Sequence, residues 1–323
     1  MKSAIVTGAK GWLGSRLVTH LSEGLPDYPQ PDPYRVVGTD KDHLNLLDRT
    51  GVKDFFQAHP GAVVFHTAGM IHPPKVADFY KVNVEATRNV LEAARESNAS
   101  RVVVVSSNSV CGCNPHPDHL FDEDSPYRPY MNYGKSKMQM EQLVKESGLE
   151  YVLIRAPWFY GPNQPPRQTT FFQMIKKGMF PIVGSGQNMR SMAYVDNLCH
   201  GLQCAAETPG AAHQIYWIAD SRPYSMNEIV ETVGEALRSH GHTVKPNRFK
   251  VPWIIGEFAT WADFVIQSAG LYHQKIHVLS EMNKSIACTI ERAEKELGYT
   301  PKISLFEGMS RSLQWLKENG LEV

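Results

Sequence analysis

Over the first half of the chain, short β-branched runs alternate with longer stretches whose apolar positions recur at helical spacing. The runs SAIVT, RVVGT, AVVFHT, RVVVVSS and YVLIRA predict strands. Leu13 to Ser22 and Asn83 to Ser97 predict helices between them, the first stopped by Gly24 and Pro26. Strand–helix alternation is the signature of βαβ units, so the expected fold class is α/β, a Rossmann-type doubly wound parallel sheet. Such a sheet binds ligands beyond the carboxyl ends of its strands, where chemistry is to be sought.

After Trp158 the pattern changes. YGPNQPPRQTT, rich in Pro and polar residues, predicts an irregular loop. Residues 1–158 are expected to form the nucleotide-binding domain and 159–323 mostly a smaller substrate-binding lobe. The chain is expected to return to the sheet near 193–220, through HQIYWIA, and to finish on a helix in SLFEGMSRSLQWLKENG. LPDYPQPDPY predicts a surface loop. From Val251 to Gly270, Trp253, Phe258, Trp261, Phe264 and Val265 recur at helical spacing. They predict a core-facing helix; a lid over a lipophilic substrate or a helix on a membrane surface are the alternatives. Glu257 and Asp263 interrupt the run, each costly in hydrocarbon, so no transmembrane segment is expected.

Composition narrows the partners. Of 323 residues 42% are apolar, enough for a sizeable core, and 33 basic residues balance 33 acidic ones. No one-signed field is available to attract nucleic acid, so a small-molecule substrate is expected. The amino terminus runs straight into a strand without a leader pattern, which predicts a cytoplasmic protein. Cys111, Cys113, Cys199, Cys204 and Cys288 form an odd set and predict reduced thiols. CGC has no second ligand pair at a matching spacing, so no metal is expected.

Two motifs carry candidate chemistry. In VTGAKGWLG, Gly8, Gly11 and Gly14 stand where a strand turns into a helix, placing backbone N–H groups around Trp12 and Leu13 at the service of a diphosphate. Asp40, ending the second strand, suits a ribose diol and repels a 2′-phosphate, which favours NAD over NADP although Lys41 adjoins it. In PYMNYGKSKMQME, Tyr133 and Lys137 are four residues apart and share one helix face. A buried phenol beside an ammonium and the positive nicotinamide of an oxidised cofactor is expected to be made acidic enough for proton transfer near neutral pH.

TGAKGWLG, VVFHTAG, VNVEATRNVLEAA, VVVVSSNSV, Tyr133 with Lys137, IRAPWFYGPN, RSMAYVDN and KELGYTPKISLFEGM occur in the order seen in the extended short-chain dehydrogenase/reductase superfamily. The chain resembles its NAD-dependent epimerase/dehydratase group, which includes sugar-nucleotide epimerases and, more distantly, 3β-hydroxysteroid dehydrogenase-like enzymes. The resemblance implies Ser107, Tyr133 and Lys137 as catalytic residues. It implies Asn45, Leu46, Thr67, Ala68, Gly69, Asn83 and Pro157 as further cofactor contacts. Asn108, Trp158 and Arg190 would meet substrate, with Arg190 at the position of an arginine that clamps a sugar-nucleotide diphosphate. Asn108 and Ser109 replace the Asp-Glu pair of the 4,6-dehydratases, which argues against elimination of water.

Trp158 replaces an Asn common in the epimerases, and with Phe159, Tyr160, Met70, Ile71 and Phe171 it would line an apolar pocket or pack between lobes. His72 and Cys111 fall near the same strand ends. The expected function is hydride transfer at an alcohol or ketone carbon, foremost a 4-epimerase of a nucleotide sugar. Alternatives are a one-way hydroxysteroid dehydrogenase-like enzyme or ketone reductase, and a non-catalytic NAD-binding protein. The resemblance also implies a homodimer paired through helices beginning near Asn83 and Tyr133, with Val90, Leu91, Met138 and Leu143 either at the interface or facing the sheet.

Overall fold

The computed structural model describes residues 2–323. Strands β1 (Ser3–Thr7), β2 (Arg35–Thr39), β3 (Val63–His66), β4 (Arg101–Ser107) and β5 (Tyr151–Ala156), with Gln214–Trp217, form one six-stranded sheet. Every neighbouring pair is parallel, in the order Gln214–Trp217, β5, β4, β3, β1, β2. Successive side chains feed opposite faces. Val102 and Val104 join Ile5, Val64 and Leu153 under the helices Ala86–Glu96 and Met131–Glu146. Val103 joins Val6, Phe65 and Ile154 under the helices Trp12–Glu23 and Val195–Glu207. Both faces are covered, as β-branched runs require. A third cluster, with Tyr160, Phe172, Tyr194, Ile229, Val233 and Leu313, forms the core of a smaller lobe.

Several local expectations are corrected. The proline-rich run after Trp158 is irregular only to Pro165; Pro166 then opens a helix to Lys176, its fixed φ suiting the first helical turn. The helix expected from Asn83 starts at Val76 and passes through a π-helical turn, Lys81–Glu85. LPDYPQPDPY is anchored rather than purely superficial: Tyr28 is buried, its hydroxyl donates to Asn197 Oδ1 at 2.7 Å, and its ring stacks on His200.

Val90 and Leu91 are buried against the sheet, and Met138 and Leu143 are half-buried and pack on core clusters. The helix Trp253–Ser268 departs furthest from expectation: Trp253, Phe258, Trp261, Phe264 and Val265 all point away from the core. Its buried residues are Gly256, Ala259, Asp263 and Gln267. No helix among the described residues is long and apolar enough to cross a membrane. No group of metal-ligating side chains exists among the described residues.

Candidate active site

The carboxyl ends of β1, β3, β4 and β5 converge on one crevice. β1 ends at Thr7, and the chain turns through Gly8 into the helix Trp12–Glu23. Gly8 has a φ of +73°, and a Cβ there would lie 2.9 Å from Ala68 backbone atoms; a Cβ on Gly14 would lie 2.1 Å from the Gly8 carbonyl oxygen. The turn closes this tightly only without side chains. No side chain caps the helix and its first turn holds no acidic residue. The N–H groups of Trp12, Leu13 and Gly14 therefore have no intrahelical acceptor and stand at the positive end of the helix. The Trp12 indole donates to the Pro162 carbonyl at 2.6 Å, tying the turn to the segment after β5.

A buried hydrogen-bonded chain sets the neighbouring loop. Thr7 Oγ1 lies 2.7 Å from His66 Nδ1, and His66 Nε2 lies 2.8 Å from Thr87 Oγ1. Burial drives the His66 pKa down to about 3, so the imidazole is a neutral spacer. Thr67 Oγ1 donates to the Thr7 carbonyl at 2.7 Å, and the Ala68 N–H reaches Thr7 Oγ1 at 3.4 Å. Asn83, on the π-helical turn, clamps the loop from the other side. Its Oδ1 accepts from Met70 N at 2.8 Å, and its Nδ2 donates to the Met70 carbonyl at 3.1 Å and to Ser136 Oγ at 3.0 Å. These bonds fix Asn83 against the loop and give it a positioning role. π-turns often re-aim a helix face at a functional site, as this one does.

Tyr133 and Lys137 share the inward face of the helix Met131–Glu146. That helix lies directly on the loop after β4, where a Cβ on Gly134 would be 2.3 Å from the Ser109 carbonyl oxygen. The close approach brings Tyr133 beside the end of β4, where Ser107 acts on its phenol. Ser107 Oγ donates to Asn108 Oδ1 at 3.1 Å and accepts from Ser109 N at 3.2 Å. Lys137 Nζ donates to the Val105 carbonyl at 3.0 Å and faces the open side of Gly69, where a Cβ would lie 3.2 Å away. One turn further, Glu141 continues the same stripe. It accepts from Ser106 Oγ at 2.6 Å, Tyr127 OH at 2.7 Å and Arg155 NH2 at 3.0 Å, fully buried.

The electrostatics differ from expectation. Burial pushes the Tyr133 phenol above its ordinary value, while neighbouring Ser107 and the Arg167 charge pull it back only in part. The Lys137 ammonium is aimed at the Val105 carbonyl. Burial lowers Lys137 itself to about 8, with Glu141 opposing. At neutral pH the lysine is charged and the phenol protonated.

A family model described as the NAD dependent epimerase/dehydratase family matches residues 4–219. The chain belongs to this family. It is therefore an NAD-dependent enzyme of the extended short-chain dehydrogenase/reductase type. It is 50% identical to the uncharacterized protein y4nL of Sinorhizobium fredii, over 98% of this chain and 95% of that one. It is 28% identical to the N-acetyl-alpha-D-glucosaminyl-diphospho-ditrans,octacis-undecaprenol 4-epimerase of Escherichia coli O157:H7, over 97% and 95%. The solved structure of UDP-glucose 4-epimerase from Thermotoga maritima has the same fold, with a TM-score of 0.75 at 21% identity, covering 98% of this chain and 99% of that one.

The cradle fits the family's cofactor. The side-chain-free turn at Gly8 and Gly14, the uncapped helix and the open face of Gly69 beside Lys137 leave the room and donors that a dinucleotide needs. Asp40 follows β2, but its carboxylate already accepts from Asp42 N at 2.8 Å and lies 2.9 Å from His43 Nδ1 and 3.3 Å from Lys10 Nζ. The side chains beside it are thus Lys10 and His43 rather than Lys41. Asn45 Oδ1 is taken by Leu47 N, and the Leu46 carbonyl by Asn89. Pro157 is buried at the end of β5.

The expected substrate residues divide. Asn108 sits against Ser107. Trp158 packs edge-on against Phe171, which is buried in the lobe core with Tyr160. Arg190 is buried, one guanidinium nitrogen donating to the Glu281 carbonyl at 2.6 Å while its Nε has no partner among the described residues. His72 lies near Tyr133 but is held by Tyr272 OH at 2.8 Å; burial first, then Arg167, lowers it to about 4. Cys111 is a core residue whose thiol burial raises to about 11.

Sequence reasoning missed Glu141, although it extends the four-residue spacing of Tyr133 and Lys137. It also missed Ser106, which donates to that carboxylate. Arg167 was hidden in a run read as loop.

Proposed function

We propose that this enzyme oxidises and re-reduces one carbinol carbon of a sugar carried on a diphosphate, acting as a 4-epimerase. The observation that carries the reading is the Ser107–Tyr133 pair at the carboxyl end of β4, beside Lys137 and the glycine cradle. Bound NAD supplies a hydride acceptor and donor at its nicotinamide. Tyr133 exchanges the proton of the reacting hydroxyl. Its protonated resting form suits the direction in which a ketone oxygen is protonated. Ser107 orients the reacting oxygen, and Lys137 holds the cofactor side of the crevice.

Asn108 and Ser109 bear neither acid nor base, which supports redox chemistry without elimination of water. The diphosphate is supported by Arg190 and by the likeness to the Escherichia coli relative, whose name gives a sugar on a diphospho-undecaprenol. The test is incubation of purified enzyme with nucleotide-linked and polyprenyl-diphosphate-linked N-acetylhexosamines, without added NAD, followed by chromatography of both C4 epimers. Interconversion is expected. Stoichiometric NADH release from a lipophilic alcohol, with no C4 epimer formed, would replace this reading by a one-way dehydrogenase.

A further inference from the structure

The helix Trp253–Ser268 is amphipathic in the inverted sense. Trp253, Phe258, Trp261 and Phe264 are 62%, 66%, 64% and 59% exposed, and Ile254 and Val265 are 51% and 45% exposed. The face turned to the protein is the polar one. Asp263 is fully buried, 2.7 Å from His277 Nδ1 and accepting from Gln267 Nε2 at 3.0 Å. Glu257 is tied to Lys284 and to Asn283 Nδ2. Of the two carboxylates that interrupt the apolar run, Asp263 is withdrawn from the outer surface and Glu257, still 43% exposed, is paired with Lys284. A contiguous apolar surface of this kind on a folded chain marks an interaction site.

The charges around the face select the occupant. Arg248 and Lys250 are exposed just before the helix, and Lys275 is exposed just after the turn that follows it. A tryptophan-rich apolar face, whose one partly exposed carboxylate is paired with Lys284 and which is bordered by cations at both ends, matches the water–lipid boundary of an anionic bilayer. Sixteen residues are too few to span the hydrocarbon, so the helix must lie in the interface. We propose that this face seats the protein on the surface of a bilayer bearing anionic headgroups.

The seat adjoins the crevice. Gln267 Oε1 accepts from both N and Nδ2 of Asn132, the residue before Tyr133, at 3.0 Å each. Beyond the helix, Gly270 O accepts from Val76 N, and Tyr272 N donates to Pro74 O. Docking places the catalytic helix next to the membrane surface, whichever reaction the crevice performs.

The test uses the full chain and sedimentation with vesicles, either pure phosphatidylcholine or with about one third phosphatidylglycerol. Cosedimentation is expected with the anionic vesicles, accompanied by a blue shift of tryptophan emission. Trp261→Glu with Phe264→Glu is expected to weaken it by more than about tenfold, and Arg248→Gln with Lys250→Gln by roughly fivefold per charge on anionic vesicles alone. These exposed positions leave the fold intact, which an unchanged melting temperature verifies. Absence of cosedimentation overturns the proposal, as does binding indifferent to the Trp261/Phe264 double variant. A light-scattering mass of two chains that this variant halves would assign the face to a second copy instead.

Discussion

The helices Met131–Glu146 and Trp253–Ser268 are each 16 residues long and touch through Asn132 and Gln267, yet they solve opposite problems. Both bury polar groups: Ser136, Lys137 and Glu141 in the first, Asp263 and Gln267 in the second. The first turns Lys135, Gln139, Gln142 and Lys145 to water, whereas the second turns its tryptophans and phenylalanines outward. In the catalytic helix the buried polar stripe is the working surface and the outer face is ordinary. In its neighbour the buried polar stripe is an anchor, and the outer face is the one without a partner in the chain. A helical repeat of apolar residues therefore shows that a face exists, and the surrounding packing decides which way it points.

The sharpest way to break this division of labour is at Tyr133. Tyr133→Phe removes the exchangeable proton but leaves the ring packed beside Phe79, whose centroid is 5.7 Å away. Turnover is expected to fall by roughly two to four powers of ten, with NAD retained as judged by cofactor fluorescence. Vesicle binding should be unaffected, since the hydroxyl faces Ser107 rather than the outer surface of the neighbouring helix. Unchanged turnover would remove Tyr133 from the chemistry.

Glu141→Ala probes the stripe's structural end. The substitution leaves Arg155 buried without its carboxylate and Ser106 without its acceptor, which is expected to cost about 3–5 kcal/mol in chemical denaturation. Met140 and Val144 bury beside it in the core, so a loosened Glu141 also frees the register that sets Lys137. A loss below about 1 kcal/mol would mean that the pair contributes little beyond filling space.

These two helices also mark what could be read from sequence. The β-branched runs identified the sheet strands because only strands buried on both faces tolerate uninterrupted apolar residues, and Val102, Val103 and Val104 do feed both faces. Ser107, Tyr133, Lys137 and the glycine turn are brought to one crevice because the carboxyl ends of parallel strands collect there by topology. The π-turn at Asn83 had no local signature, since it depends on a side chain reaching Met70 and Ser136 across the crevice. The direction of Lys137 was equally hidden. Spacing puts its ammonium and the phenol on one face, but the Val105 carbonyl, from another element, takes the proton donor. The Trp253–Ser268 reading failed for the same reason, because Asp263 finds His277 only in three dimensions.

That buried contact gives the neighbouring helix a pH dependence of its own, centred on His277. Burial acts to lower the His277 pKa, but the hydrogen bond to Asp263 and the Glu281 charge outweigh it, so the value is raised. A raised histidine stabilises the fold fully below its unfolded value of 6.5, and this support is lost as pH rises through the folded value. Hydrogen exchange across 253–281 is therefore expected to quicken above that point, while exchange in the Glu141 turn stays constant relative to the global rate. Parallel acceleration in both segments would show that the hairpin is not separately titrated. His277→Gln should flatten the profile.

The smallest expected effect is also the most discriminating between the helices. Phe264→Ser and Trp261→Ser remove large aromatic groups from positions that are mostly in water, so little buried area is lost. Each should change thermal stability by no more than about 0.5 kcal/mol. Met140→Ala, on the catalytic helix, deletes a fully buried side chain and should cost about 2–5 kcal/mol. In an ordinary globular helix the aromatic residues would be the costly ones to remove. Here the inexpensive substitutions are the aromatic ones, because their burial is deferred to a surface outside the chain. Equal costs at Phe264 and Met140 would show that Phe264 is already covered in solution, and would place a second copy of the chain on that face.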